Sequence, residues 1–317
     1  MVVLLALAGA SYQAIETHLD ARLSPETGQL VDVGGYRLKL NCTGTESPTV
    51  ILESGFGDVS TEWRTVQPAI AKFSRVCSYD RAGYGGSDPG PIPRTSLRIA
   101  AELHVLLKNA GEMPPYVLVG SSYGGYNVRV FNGLYPNEVT GIVLADAVQE
   151  DQYVLLPKAW RAISAEQLKH CERLARYSFF VVNLGIGRLM LRAQGASGHD
   201  DYLILQRKYL RARASELEQM RVSAEQARAA DHISDKPLMV LTAAENTDTS
   251  LSSGLSKQDF EAFQRIWVDD LQMRLAHLST RGVRIMVPES GHDIPSDRPD
   301  SIVNAVRELC FAATSPN

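Results

Sequence analysis

The chain has few of the features that would settle its class at once. Only four of its 317 residues are cysteine, with no C-x-x-C pair and no cysteine–histidine spacing of a metal site. That excludes a disulfide-built scaffold and a zinc-finger-like module. Aromatic residues make up 7% of the chain, with three tryptophans. No charge of one sign prevails: 32 Lys and Arg stand against 36 Asp and Glu, a net −4. A general basic field for nucleic acid is therefore missing, and no nucleic-acid partner is expected. No apolar run reaches the length of about 20 residues that crosses a bilayer. What remains is 44% hydrophobic and 21% charged residues, the composition of an ordinary folded protein. A chain this long buries enough surface to stand without metal or disulfide support.

The two ends and the cysteines leave alternatives open. Met1 to Ala10 reads MVVLLALAGA and is followed by the polar stretch Gln13 to Arg22. One reading is an amphipathic helix, Val2 to Leu23, packed on the body of the protein. The other is a trimmed signal or anchor, which would place the protein outside the cytoplasm or at a membrane, although no Lys or Arg precedes the apolar run. Localisation and any membrane contact through this segment stay undecided between them. Buried inert thiols are the default for all four cysteines. In an oxidising compartment, Cys42 and Cys77, each near the end of a predicted strand, form the pair to test first.

Turn residues and apolar runs divide the chain regularly. Gly28–Gly35 and Tyr36–Cys42 predict an antiparallel hairpin turning at Gly34-Gly35. Six further strands are predicted at Thr49–Ser54, Arg75–Asp80, Tyr116–Ser121, Thr140–Asp146, Leu238–Ala244 and Val283–Glu289. The later ones are continuous apolar runs, as parallel strands covered on both faces require. Helical patterns lie at Ser96–Ala110, Gly124–Tyr135, Lys257–Leu278 and Pro299–Ala313. These alternations predict an α/β fold with one mostly parallel eight-stranded sheet flanked by helices. Residues 149–236 carry no strand signal and read as helices, too long a gap for a structureless loop. The expected domains are an N-terminal segment (1–27), a core in two parts (28–148 and 237–317), and an inserted helical cap (149–236). Residues 151–236 carry 14 Lys and Arg against 10 Asp and Glu, which solvated helix faces explain without a function.

The sharpest motif is Gly120-Ser121-Ser122-Tyr123-Gly124, a G-x-S-x-G between the strand YVLVG and a helical pattern. A nucleophilic serine on a tight strand-to-helix turn needs glycine two residues to either side, and the helix that follows presents its positive end to the site. With these residues the chain resembles the α/β-hydrolases, specifically serine esterases and lipases with a helical cap, from about Gly28 to its C-terminus. Glu53-Ser54-Gly55-Phe56-Gly57 falls where that family has His-Gly and an oxyanion-hole residue, with Ser54 in place of the His. Asp80 to Ser87 matches its D-x-x-G-x-G-x-S turn, read here as structural. Ser290-Gly291-His292-Asp293 follows the last strand, where the family places its catalytic histidine. The resemblance implies Ser122 as nucleophile, His292 as base and the backbone N–H groups of Phe56 and Tyr123 as the oxyanion hole.

Of seven histidines (His18, His104, His170, His199, His232, His277 and His292), only His292 has that position. The acid is less direct. The family's usual place after the seventh strand holds Asn246, an amide that cannot offset an imidazolium as a carboxylate does. Asp146, at the end of the sixth strand, is the preferred acid; Asp248 and Glu245 remain alternatives. The apolar stretch Phe179 to Leu191 is a candidate acyl pocket or simply packing within the cap. Tyr123 and Tyr126 are expected at the pocket floor, and Trp63 and Trp267 as packing residues.

The function so implied is cleavage of small-molecule carboxylic esters through an acyl-enzyme, with neither metal nor organic cofactor. An amidase, lactonase or C–C hydrolase would keep the same triad. A surface-active lipase would use the cap as a lid, and a non-catalytic ligand-binding protein on this fold is the alternative from another class. Oligomeric state is not readable from the sequence.

Overall fold

A computed structural model describes residues 2–23, 27–193, 195, 206–230, 233–245 and 254–314. Eight strands form one sheet in the order β1-β2-β4-β3-β5-β6-β7-β8. They are β1 (Gln29–Asp32), β2 (Arg37–Thr43), β3 (Thr49–Glu53), β4 (Val76–Tyr79), β5 (Tyr116–Ser121), β6 (Val139–Ala145), β7 (Leu238–Ala243) and β8 (Gly282–Val287). The β1–β2 and β2–β4 pairs are antiparallel, and every other pair is parallel. The first turn is closed by Asp32, whose Oδ1 accepts from the Gly34 N–H at 2.9 Å. Cys42 and Cys77 face each other in the β2–β4 register and are joined by a disulfide, their Cα atoms 4.1 Å apart.

The central strands are buried because both faces are covered. All residues of β3, β4, β5 and β7 are buried. One face packs Leu118, Ile142 and Val240 against the helices Ser96–Ala110 and Gly124–Leu134, through Leu103, Leu107 and Phe131. The other packs Val119, Val143 and Leu241 against Val66–Ile70 and Pro299–Thr314, through Ile70, Ile302 and Val306. The edge strand β8 departs from the expected burial on both faces, with Val283, Ile285 and Met286 exposed.

Between β6 and β7 lie the helices Gln152–Leu155, Lys158–Arg176, Ser178–Asn183, Ile186–Ala193, Arg207–Glu218 and Met220–Ala229. Their attachment to the sheet domain is partly ionic. Arg81, 2% exposed, meets Glu53 of β3 and Glu216 of the helix Arg207–Glu218, both at 3.0 Å. Tyr84 donates to the same Glu216 at 2.7 Å.

The N-terminal segment is one helix, Val2–Leu23, but not an amphipathic one that buries its apolar side. Leu4, Leu7, Ile15 and Leu19 are exposed. Contact is made through small and polar residues instead. A side chain at Gly9 would come within 2.5 Å of the Leu184 carbonyl oxygen, so only glycine permits this approach. Glu16 then meets Arg192 at 2.8 Å and Arg188 at 3.7 Å on the helix Ile186–Ala193. The cap offers this helix arginines rather than an apolar groove, which is why the polar face turns inward. No helix among the described residues is long and apolar enough to cross a membrane.

Candidate active site

Strand order sets the place. β3 and β4 precede β5 in sequence yet lie together on one side of it, so the direction of sheet growth reverses at β3–β5. Such a reversal opens a crevice at the carboxyl ends of the strands. Ser122 follows β5 there, with φ +47°, a left-handed conformation that a side chain adopts only when its surroundings enforce it. The glycines around it are required by close approach. A Cβ on Gly120 would lie 2.8 Å from the Gly124 carbonyl carbon, and one on Gly124 would lie 2.4 Å from the Glu53 carbonyl oxygen. The helix Gly124–Leu134 starts directly behind the serine and directs its positive end at the crevice.

His292 and Asp146 reach the serine from two other strand ends. His292 Nε2 lies 2.9 Å from Ser122 Oγ, and Nδ1 lies 2.7 Å from Asp146 Oδ2. With the ring proton on Nδ1 donated to the carboxylate, Nε2 is free to accept from the serine hydroxyl. Asp146 is fully buried, with φ +40°. Its Oδ1 accepts from the Ala243 N–H at 3.2 Å, and its Oδ2 accepts from the Trp267 indole N–H at 3.1 Å. Glu245 is exposed, and its backbone N–H bonds to the Ser290 carbonyl; it is not brought to the histidine. Asp248 and Asn246 lie outside the described residues, as do His199 and His232. Among the other histidines, His104 stacks on Tyr135 and meets Glu138 at 3.1 Å, far from the serine in the fold.

Trp267 is a site residue, not only the packing residue its helical pattern suggests. The predicted helix Lys257–Leu278 runs as α-helix to Arg265, widens into a π-helix over Ile266–Leu271, and resumes at Gln272. This wider turn carries Trp267 to the acid, its ring 5.9 Å from that of His292. A π-turn is a recurrent device at functional sites, but nothing in a 3.6-residue periodicity marks it. Trp63, by contrast, is a packing residue, donating to Ser54 Oγ at 2.9 Å.

The loop after β3 forms the opposite wall. The backbone N–H groups of Phe56 and Tyr123 find no acceptor among the described residues. Arg81 holds the loop from behind, donating to the carbonyls of Ser54 and Gly55, each at 2.8 Å. The cap holds it from above: Tyr209 donates to the Gly57 carbonyl at 2.7 Å, and Arg213 lies over the Phe56 ring at 4.9 Å. Sequence reasoning missed a pair of acids here. Glu62 accepts from the Gly55 N–H at 3.1 Å. Burial, and then the nearby charge of Asp58, push its carboxyl up to about 8. Asp58, at the mouth of the same loop, is also raised, by desolvation first and by Asp293 next. Neither acid belongs to a recognisable motif.

A cavity of about 320 Å³ opens on these groups. Phe56, Ser122, Tyr123 and His292 line its base, and the cap and the Phe263–Trp267 segment form its walls. Tyr123 is at the floor, as expected. Tyr126 stands behind it, ring to ring at 6.2 Å, and accepts from Gln152 rather than facing the space. The stretch Phe179 to Leu191 is not part of the wall. Phe179, Phe180, Ile186, Leu189 and Met190 face outward instead.

Residues 48–179 match the family model described as the alpha/beta hydrolase fold. With the eight-stranded sheet, that match gives the chain the α/β-hydrolase fold. The chain is 33% identical over 136 residues to a probable transporter of Hormonema carpetanum, an overlap of 40% of this chain and 20% of that protein. An AB hydrolase superfamily protein of Gibberella zeae is 26% identical over 286 residues, covering 84% of this chain and 87% of that one. The chain thus spans about a fifth of the first relative and most of the second. Among solved structures, a thermophilic esterase from Thermogutta terrifontis superposes with a TM-score of 0.61 at 19% identity, covering 90% and 99% of the two chains. The enol-lactonase of Burkholderia xenovorans LB400 gives 0.61 at 15% identity, covering 89% and 100%. At these identities the structural likeness is one of fold.

Proposed function

We propose that this α/β hydrolase is a serine esterase working through an acyl-enzyme on Ser122. The observation that carries the reading is the unbroken chain of hydrogen bonds from Ser122 through His292 to Asp146, opening on a cavity. As Ser122 Oγ attacks the ester carbonyl, His292 Nε2 takes its proton and Asp146 steadies the resulting imidazolium. The Phe56 and Tyr123 N–H groups receive the developing oxyanion, typically worth about 3 kcal/mol per donor. His292 then protonates the departing alcohol. Water, deprotonated by the same nitrogen, attacks the acyl group and releases a carboxylic acid. Trp267 and the Ala243 N–H fix the Asp146 carboxylate, so that the Nδ1 proton of the histidine stays in place throughout. A lactone, an internal ester, follows the same steps without losing a separate alcohol.

A series of 4-nitrophenyl esters from acetate to octanoate, offered to wild type and Ser122→Ala, tests the reading. We expect turnover in the wild type, greatest for acyl chains that a space of about 320 Å³ admits. Ser122→Ala should lower it by roughly four orders of magnitude or more. Equal rates in the two proteins would make the site a binding pocket rather than a catalytic one.

A further inference from the structure

The cavity wall holds two guanidinium groups, Arg161 on the helix Lys158–Arg176 and Arg221 on the helix Met220–Ala229. Elsewhere in the cap, three arginines meet acids: Arg188 and Arg192 meet Glu16, and Arg228 meets Asp151. Arg161 and Arg221 meet none among the described residues. The Nε of Arg161 is enclosed and has no acceptor among the described residues. Arg221 lies 5.1 Å over the ring of Tyr153, a contact that orients the guanidinium and leaves its N–H edge unused. One acid, Glu218, also lines the cavity, but its carboxylate forms an ion pair with neither arginine. The rest of the wall, including Trp160, Leu168, Met220 and Phe263, is apolar or neutral.

Arg161 is half-buried and its enclosed Nε–H is costly to leave without an acceptor, while Arg221 stands on the solvent-exposed side of the cavity. A planar carboxylate is the acceptor that matches a guanidinium in geometry and charge. We propose that Arg161 and Arg221 form a carboxylate-recognition subsite, so that the preferred substrate is an ester carrying a second, anionic carboxylate. This rests on the esterase reading and narrows its substrate class. With the carboxylate between the two arginines, the remainder of the molecule crosses an apolar space to reach Ser122. A cavity of about 320 Å³ suits a short half-ester better than a long neutral acyl chain.

Two anionic probes place the carboxylate on either side of the ester: mono-4-nitrophenyl glutarate on the acyl side and 4-butyryloxybenzoate on the alcohol side. Their neutral counterparts are 4-nitrophenyl pentanoate and methyl 4-butyryloxybenzoate. The wild type should favour at least one anionic probe over its counterpart in kcat/KM by about tenfold or more. In the Arg161→Gln/Arg221→Gln protein that ratio should fall to near unity, through a higher KM. No preference for either anionic probe, or a preference that survives both substitutions, overturns the proposal. Calorimetry with monomethyl glutarate on Ser122→Ala separates this result from the esterase reading. Binding that is lost when both arginines are replaced upholds the subsite even if no ester is turned over. Absence of binding by the Ser122→Ala protein counts against it.

Discussion

The sheet domain and the cap are built to different standards. In the sheet, β3, β4, β5 and β7 expose nothing, and Asp146, at the end of β6, is fully buried. In the cap, the 19-residue helix Lys158–Arg176 buries only Trp160 and Cys171, and Phe179, Phe180 and Met190 are each at least half exposed. Close packing holds side chains to one geometry, as the hydrogen-bonded chain Ser122–His292–Asp146 requires. A lightly packed layer tolerates changes of side chain, which suits it to selecting substrates. On the proposed reading, the chemistry sits on strand ends, and the cap arginines sit where the substrate varies.

An ion cluster crosses this division and offers a way to break it. Arg81 binds Glu53 in the sheet and Glu216 in the cap while holding the carbonyls of the Phe56 loop. Glu216→Ala leaves a buried guanidinium short of one of its two carboxylates. Breaking such a pair costs about 3–5 kcal/mol. We expect a correspondingly lower urea midpoint, together with a loss of ester turnover as the loop loosens. A change in cap stability alone, with turnover intact, would mean the loop does not depend on this ion cluster.

The smaller effect concerns Glu62. With its carboxyl raised to about 8, the folded protein holds a proton that the unfolded chain releases near the ordinary glutamate value of 4.5. Between those two values the folded state binds more protons, so this group's contribution to stability falls as pH rises. Urea unfolding at pH 5 and at pH 8.5 should show a smaller loss in Glu62→Gln than in the wild type. Part of the loss will remain, because Asp58 is raised as well. Identical pH dependence in the two proteins would show that Glu62 does not hold a proton behind Gly55.

Much of the sheet domain was legible because its signals are local. Continuous runs such as YVLVGS and TGIVLAD mark buried parallel strands, and Gly120 and Gly124 flank the serine for steric reasons present in the sequence itself. Asp146 was reached by elimination, from the amide at Asn246 and from the strand end, and the structure brings it rather than Glu245 to His292. What stayed hidden depends on contacts far apart in the chain. Trp267 reaches Asp146 because of a π-turn, and the Glu62–Asp58 and Arg81–Glu216 arrangements join residues with no shared motif. The apolar stretch Phe179 to Leu191 and the N-terminal helix misled for one reason: composition tells how apolar a helix is, not which face its neighbours will take.

The central claim, that three sheet-borne groups act as one catalytic unit, is tested most directly by labelling with a fluorophosphonate followed by peptide mass analysis. Folded wild-type protein should carry a single adduct on Ser122, and Asp146→Asn should acquire it about 10⁴-fold more slowly, since the amide holds the wrong tautomer of His292. No adduct on Ser122, or equal labelling rates in the two proteins, would contradict the account.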